Sequence, residues 1–220
     1  MKQFVGIFFC VLLTIMLIIN ICNSPRLNQM DEDVQYEYIE EDSIDVDSSY
    51  VENRVKKPLD KKAAILLIKQ FEGYRSETYK CSNGVPTIGW GTTKCCLDEI
   101  YRRGYIKDTM YYVWGDTISK EQACHILSKT IDMIYSSALK CVPDVKYLNP
   151  KSQAAFISWA YQCGIGNIDS HTGIIGSFPE IVKHLDDKIL YDILTERAFY
   201  GKYKTRRLKE AAVIIGAKCK

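Results

Sequence analysis

The chain reads as an α+β fold, mostly helical, with one small antiparallel β-hairpin sheet. Three observations predict it. Apolar residues recur at helical spacing in several separate stretches, each opened or closed by a capping residue. Asn83-Gly84 stands between two short extended runs, Thr78 to Cys81 and Val85 to Ile88, which is a strong hairpin signal. No internal repeat occurs, as a solenoid or propeller would require.

The first helix begins after Asp60, whose carboxylate suits the N-cap, with Pro58 outside it. Ile65, Ile68 and Phe71, with Ala64 and Leu67, form its apolar stripe, and Gly73 suits the residue past its end. Glu72 therefore falls in the last turn. A carboxylate there meets the negative end of the helix dipole, which favours the protonated state that a general acid needs. Pro86 limits the second strand of the hairpin to an edge or an irregular loop. An ideal two-residue turn at 83 and 84 would put Cys81 and Thr87 on opposite faces. For both to line one site the loop must be odd, centred near Gly84, and that is the expected form.

Leu97 to Asp116 is aromatic-rich and poorly patterned, and it reads as a connection. Ser119 and Gln122 then form a capping box, followed by a stripe of Ala123, Leu127, Ile131, Ile134 and Ala138, with Pro143 after its end. Asn149-Pro150 opens another helix, in which Ala154 to Tyr161 is apolar enough to be central and buried, and Gly164 closes it. Trp159 belongs to that core.

Net charge is +2 over 220 residues, but it is split. Residues 23–60 carry 4 basic and 11 acidic side chains, whereas residues 61–220 carry 24 basic and 16 acidic. A cationic body suits an anionic polymer. Nucleic acid is the competing partner, but no nucleic-acid-binding motif is present. Phe4 to Cys22 has no charged residue, and thirteen of its nineteen residues are Phe, Val, Ile or Leu. At 1.5 Å per residue it spans about 28 Å, close to a bilayer core. Residues 1–22 are expected to be a signal anchor or signal peptide, with residues 4–22 in the membrane and the remainder exported. An uncleaved anchor is favoured, because cutting after Ser24 would leave Pro25 next in line. Residues 23–58, rich in Asp, Glu and Ser, read as an acidic disordered tether, or alternatively as an inhibitory arm on the basic body.

Nine cysteines are present. With Cys10 and Cys22 in the apolar segment and Cys81 set aside, six remain. In an oxidising compartment these would form up to three disulfide bonds. Cys95-Cys96 lack the C-x-x-C or histidine spacing of a zinc site, so no metal and no cofactor is expected.

The most informative stretch is Phe71 to Thr93. Glu72 is followed nine residues on by Cys81 and six further by Thr87, inside Thr87-Ile88-Gly89-Trp90-Gly91-Thr92-Thr93. This closely resembles the active-site segment of the phage-type lysozymes, or endolysins: Glu, then Asp or Cys, then Thr, in a T-I-G-Y-G-H-T-like run. Cys81 matches the minority version, and Thr92 stands where His is usual. Gln153 to Gly166 resembles the central Q-x-A-L-x-S-x-A-x-N-x-G segment of that family, with Gln162 for Asn. Gly201 to Glu210 resembles G-L-x-x-R-R-x-x-E, with one extra residue before Arg206-Arg207. Those two arginines are open to either wall contact or internal pairing.

The resemblance implies a two-lobed lysozyme-like fold over residues 59–220, acting as a monomeric muramidase on the peptidoglycan of bacterial cell walls. Glu72 would be the acid, with Cys81 and Thr87 handling water, and Gln153 a substrate contact. Inversion or retention stays open for a thiol, and Cys81 masked in an exchangeable disulfide is a further possibility. Two rival readings are a catalytically inactive wall-binding protein and a hydrolase of amide bonds pairing Cys81 with His125, His171 or His184.

Overall fold

The computed structural model describes residues 54–81, 83–107, 117–198 and 203–216. The expected membrane segment 4–22, most of the acidic tether, and Cys219 lie outside the described residues. Among the described residues no helix is long and apolar enough to cross a membrane.

Helix α1 (Lys61–Glu72) starts where Asp60 Oδ1 accepts from the Ala63 amide at 2.9 Å and stops at Gly73, whose φ is 65°. Strands β1 (Arg75–Lys80), β2 (Pro86–Gly89) and β3 (Thr92–Thr93) follow as one antiparallel sheet in that order. Thr93 then caps α2 (Lys94–Arg102), a helix in the stretch that sequence patterning reads as a connection. Its apolar face is only Leu97 and Ile100, too short a stripe to register, and Glu99 pairs with Arg102 and Arg103 on the other side.

Helix α3 (Lys120–Cys141) carries both bonds of the Ser119–Gln122 capping box. A single turn of tighter helix, Pro143–Tyr147, leads to α4 (Pro150–Cys163). Asn149 caps α4 through its side chain, and Ser152 through Ala160 are all buried. Short helices α5 (Gly173–Ser177) and α6 (Asp187–Asp192) precede α7 (Lys204–Ile214). Helices α1 and α7 both pack on α4, which makes α4 the axis of a core that runs from Ala64 to Ala211. Trp159 is 3% exposed and packs edge-on against Phe156 and Phe178, as a core residue should. The result is a small sheet set beside a helical body.

Among the described residues no disulfide is formed. Cys81, Cys95, Cys96, Cys124, Cys141 and Cys163 all carry free thiols. Placement explains part of this: Cys124 and Cys141 lie seventeen residues apart on the one helix α3, about 25 Å. A bridge needs Cα atoms within about 7 Å.

Candidate active site

Glu72 is the last residue of α1, and its side chain is 23% exposed. Arg206, on α7, donates from Nη1 to Glu72 Oε1 at 2.6 Å. The arginine is itself held by buried groups. Its Nε donates to Glu210 Oε1 at 3.1 Å, and its Nη2 donates to the Ser158 carbonyl at 3.1 Å. Ser158 Oγ donates to Glu210 Oε1 at 2.7 Å, and Arg207 Nη1 lies 2.9 Å from Glu210 Oε2. Burial pushes the Glu210 carboxyl up, while the Arg207 and Arg206 guanidiniums pull the other way. The Arg206-Arg207 pair is therefore internal. The i, i+4 spacing of Arg206 to Glu210 was the available sequence signal for it. Nothing local points from Arg206 to Glu72, 134 residues earlier.

The second oxygen of Glu72 faces Gly91. A Cβ added there would come within 2.7 Å of Oε2, and Gly91 has φ 84°. Glycine is thus needed twice at this position, for backbone shape and for room beside the carboxylate. Gly89 and Gly91 bracket the tip of the β2–β3 hairpin, in which Ile88 pairs with Thr92.

The β1–β2 loop is odd, as anticipated, but centred one residue earlier, on Asn83. Tyr79 pairs with Thr87 and Lys80 with Pro86, while the Cys81 amide donates to the Val85 carbonyl. Gly84, with φ 75°, ends the loop and donates to the Cys81 carbonyl at 2.8 Å. In this register Cys81 and Thr87 share a face, as diagonal neighbours about 7–8 Å apart. Thr87 is 2% exposed and donates its hydroxyl to the Val85 carbonyl at 2.9 Å, which leaves its lone pairs free to accept. Tyr79 connects the hairpin to the acid electrostatically. Burial first, then the charge of Glu72, with a smaller push from Cys81, raises its phenol.

Gln153 does not reach a substrate surface. It is fully buried, and its amide nitrogen donates to the carbonyls of Lys57 and Leu148, both at 3.0 Å. Its role is to fasten the lead-in strand of chain to α4. The three histidines fall elsewhere. His184 is bonded to Arg54 and Asp144, His171 sits in the exposed turn before α5, and His125 lies on α3. Among the described residues none of them hydrogen-bonds Cys81, and no group of three or more His, Cys, Asp or Glu is placed to hold a metal ion.

A family model described as phage lysozyme matches residues 69–176, a span that contains Glu72, Cys81, Thr87 and the whole sheet. No curated protein matches the chain. Among solved structures, a point mutant of P22 lysozyme is 21% identical, with 72% of this chain and 99% of that one covered at a TM-score of 0.49. The active form of the P1 phage endolysin is 19% identical, with 70% and 83% covered at 0.49. An endolysin from the Escherichia coli O157:H7 phage FAHEc1 is 20% identical, with 74% and 97% covered at 0.45. Residues 69–176, just under half of the chain, thus match the phage lysozyme family, and that match supports a lysozyme-type hydrolase acting on peptidoglycan.

Proposed function

We propose that the protein is a muramidase that cleaves the β-1,4 bond between N-acetylmuramic acid and N-acetylglucosamine, with Glu72 as the general acid. One observation carries this reading: a partly exposed carboxylate, fixed on one oxygen by a buried arginine, with a glycine leaving room beside the other. Oε2 then carries the proton to the glycosidic oxygen as the bond to the anomeric carbon breaks. The carboxylate that remains is stabilised by the Arg206 guanidinium already against it, so no reorganisation is needed as the charge forms. Cys81 and Thr87 orient a water for attack on the opposite face of the sugar. Its oxygen bonds to the anomeric carbon, and its proton leaves through the Cys81 sulfur or to solvent.

The catalytic unit comprises residues 59–220 and acts as a monomer on exported wall polymer, without nucleic acid or cofactor. Residues 1–22 act as the export and anchoring segment, and residues 23–58 as the acidic tether. The basic balance of residues 61–220 favours an anionic wall. The test is the clearing of purified cell walls by wild type, Glu72→Gln, Cys81→Ser and Cys81→Asp. Loss with Glu72→Gln, retention with Cys81→Asp, and new reducing ends in the product are expected. Full activity of Glu72→Gln would end the proposal. Wall affinity without clearing by the wild type would identify an inactive binder, and new amines in the product an amide hydrolase.

A further inference from the structure

We propose that Tyr161 is a positioning residue for catalysis, whose hydroxyl staples the tip of the β2–β3 hairpin against Glu72. This rests on Glu72 as the acid. Tyr161 lies near the end of α4, and its hydroxyl donates to the Trp90 carbonyl at 2.8 Å. Its single proton is committed there, so the Thr92 hydroxyl, 3.3 Å away, is the donor in their contact. The two residues it holds are those on either side of Gly91, the residue whose backbone lies against the Glu72 carboxylate.

The tip needs such a tie. Gly89 and Gly91 both take positive φ, 64° and 84°, and two glycines two residues apart give the loop little stiffness of its own. Its other contacts are packing: a Cβ on Gly89 would come within 3.1 Å of Ala123 Cβ on α3, and the Trp90 ring lies 5.4 Å from that of Tyr74 with the Lys69 ammonium 4.8 Å from its centre. Those contacts fix the depth of the tip and the Trp90 ring but do not hold the backbone carbonyl beside Gly91. The Tyr161 hydroxyl supplies direction, because a hydrogen bond to a carbonyl constrains angle as well as distance. Burial, followed by the charges of Cys96 and Glu72, holds the phenol well above its usual range, so it remains a donor throughout the working pH range. The contribution from Glu72 also places the hydroxyl within electrostatic reach of the acid. A tyrosine buried for packing alone would also find a hydrogen-bond partner. The distinguishing feature is that its partners bracket Gly91, the residue beside the second oxygen of the acid.

The experiment compares full-length wild type, Tyr161→Phe, Thr92→Val, the double variant and Glu72→Gln on soluble peptidoglycan oligosaccharide, well below the unfolding temperature. Tyr161→Phe keeps the ring and removes only the tie. The expected result is a kcat about tenfold lower at a KM within about twofold, since displacing a catalytic group by a fraction of an ångström is costly. The double variant is expected to be no worse than Tyr161→Phe, because both substitutions break the same tie. Wild-type kcat in Tyr161→Phe beside an inactive Glu72→Gln would overturn the staple and leave the acid standing. Equal losses in kcat and melting temperature that vanish on cooling would also overturn it, as would fully additive effects. Activity in Glu72→Gln would remove the acid itself. If Tyr161→Phe does not fold, Thr92→Val decides alone: a kcat several-fold lower at unchanged KM supports the staple, and wild-type kcat overturns it.

Discussion

The two sides of the candidate site are built in opposite ways. On the acid side, Glu72 is held by Arg206, and Arg206 by Glu210 and Ser158, so three separate helices meet at one buried ionic cluster. On the water side, Cys81 and Thr87 both donate to the Val85 carbonyl and the Cys81 carbonyl accepts from the Gly84 amide, all within seven residues of chain. The acid is positioned by tertiary packing, the hairpin by turn chemistry. Perturbing the first is expected to affect the whole body, and perturbing the second only the local chemistry.

The largest expected effect is at Glu210. It is 0% exposed and lies between two guanidiniums. Glu210→Ala leaves buried cations without their counter-charge, at a cost of about 3–5 kcal/mol. For a body of this size that lowers the melting temperature by about 10 °C or more, measurable by calorimetry. Cys81→Ser, on the hairpin, is expected to shift it by no more than about 2 °C. A melting temperature for Glu210→Ala within a few degrees of wild type would show that the two sides do not differ as described.

Two glycines with the same backbone demand separate the sides more finely. Gly84 and Gly91 both adopt positive φ, so alanine at either costs about 1–2 kcal/mol in backbone strain. A Cβ at 84 meets nothing within 4 Å, whereas at 91 it strikes the Glu72 carboxylate. Gly91→Ala should therefore lower kcat by about ten- to a hundredfold, and Gly84→Ala by no more than a few-fold. Equal losses in steady-state kinetics would mean that backbone shape, not contact with the acid, is what Gly91 supplies.

The same division governs what could be read from the residues alone. Asp60, Ser119 with Gln122, Asn149-Pro150, Gly73 and Gly164 act within one turn of their own helices, and each did what its local chemistry dictates. The parity of the hairpin was legible because Cys81 and Thr87 had to share a face. Its centre was not, because Gly84 serves as the last, positive-φ residue of the loop rather than its middle. Helix α2 escaped notice because two buried residues make too short a period to stand out. The grip of Arg206 on Glu72 depends on how α7 lies across α4, and no sequence spacing encodes that. Gln153 was misassigned for a related reason: a polar residue in an apolar run can be a buried strut as readily as a binding group.

Acid titration gives a smaller contrast of the same kind. Glu99 and Asp144 are both held below the ordinary carboxylate range, but by different means. For Glu99 the hydrogen bond from Arg102 comes first, outweighing partial burial, with Arg103 adding to it, all within one helix. For Asp144, burial works against ionisation and is overcome by the Leu185 amide, Arg54 and His184, from distant parts of the chain. A depressed carboxyl contributes stability that is fully present above its unfolded value, here 3.8 for Asp144, and is lost as pH falls through the lower folded value. Asp144→Asn should thus cost about 1–2 kcal/mol at neutral pH, and its deficit should shrink as pH falls below that unfolded value. Glu99→Gln should cost about 0.5 kcal/mol. Melting curves from pH 7 to 2 measure both, and a deficit for Asp144→Asn that grows toward acid would contradict the sign.

Thiol reactivity offers the mildest probe, since it changes no residue. Cys81 sits half-buried at the hairpin, beside the open loop. Cys96 retains some exposed surface as a residue, but its thiol packs against the core. Desolvation, opposed only by the Thr130 hydroxyl, pushes it up to about 12. Only the thiolate reacts with an alkylating agent, so at pH 8 the reactive fraction of Cys96 is about one in ten thousand. Peptide mass spectrometry after brief iodoacetamide treatment should find Cys81 modified at least about a hundredfold faster than Cys96, with the difference erased in denaturant. Because the described cysteines are unpaired, prior reduction should leave that order unchanged. If Cys96 were labelled as readily as Cys81 in the folded protein, the body would open on the timescale of the hairpin, and the rigidity ascribed to the acid side would not hold.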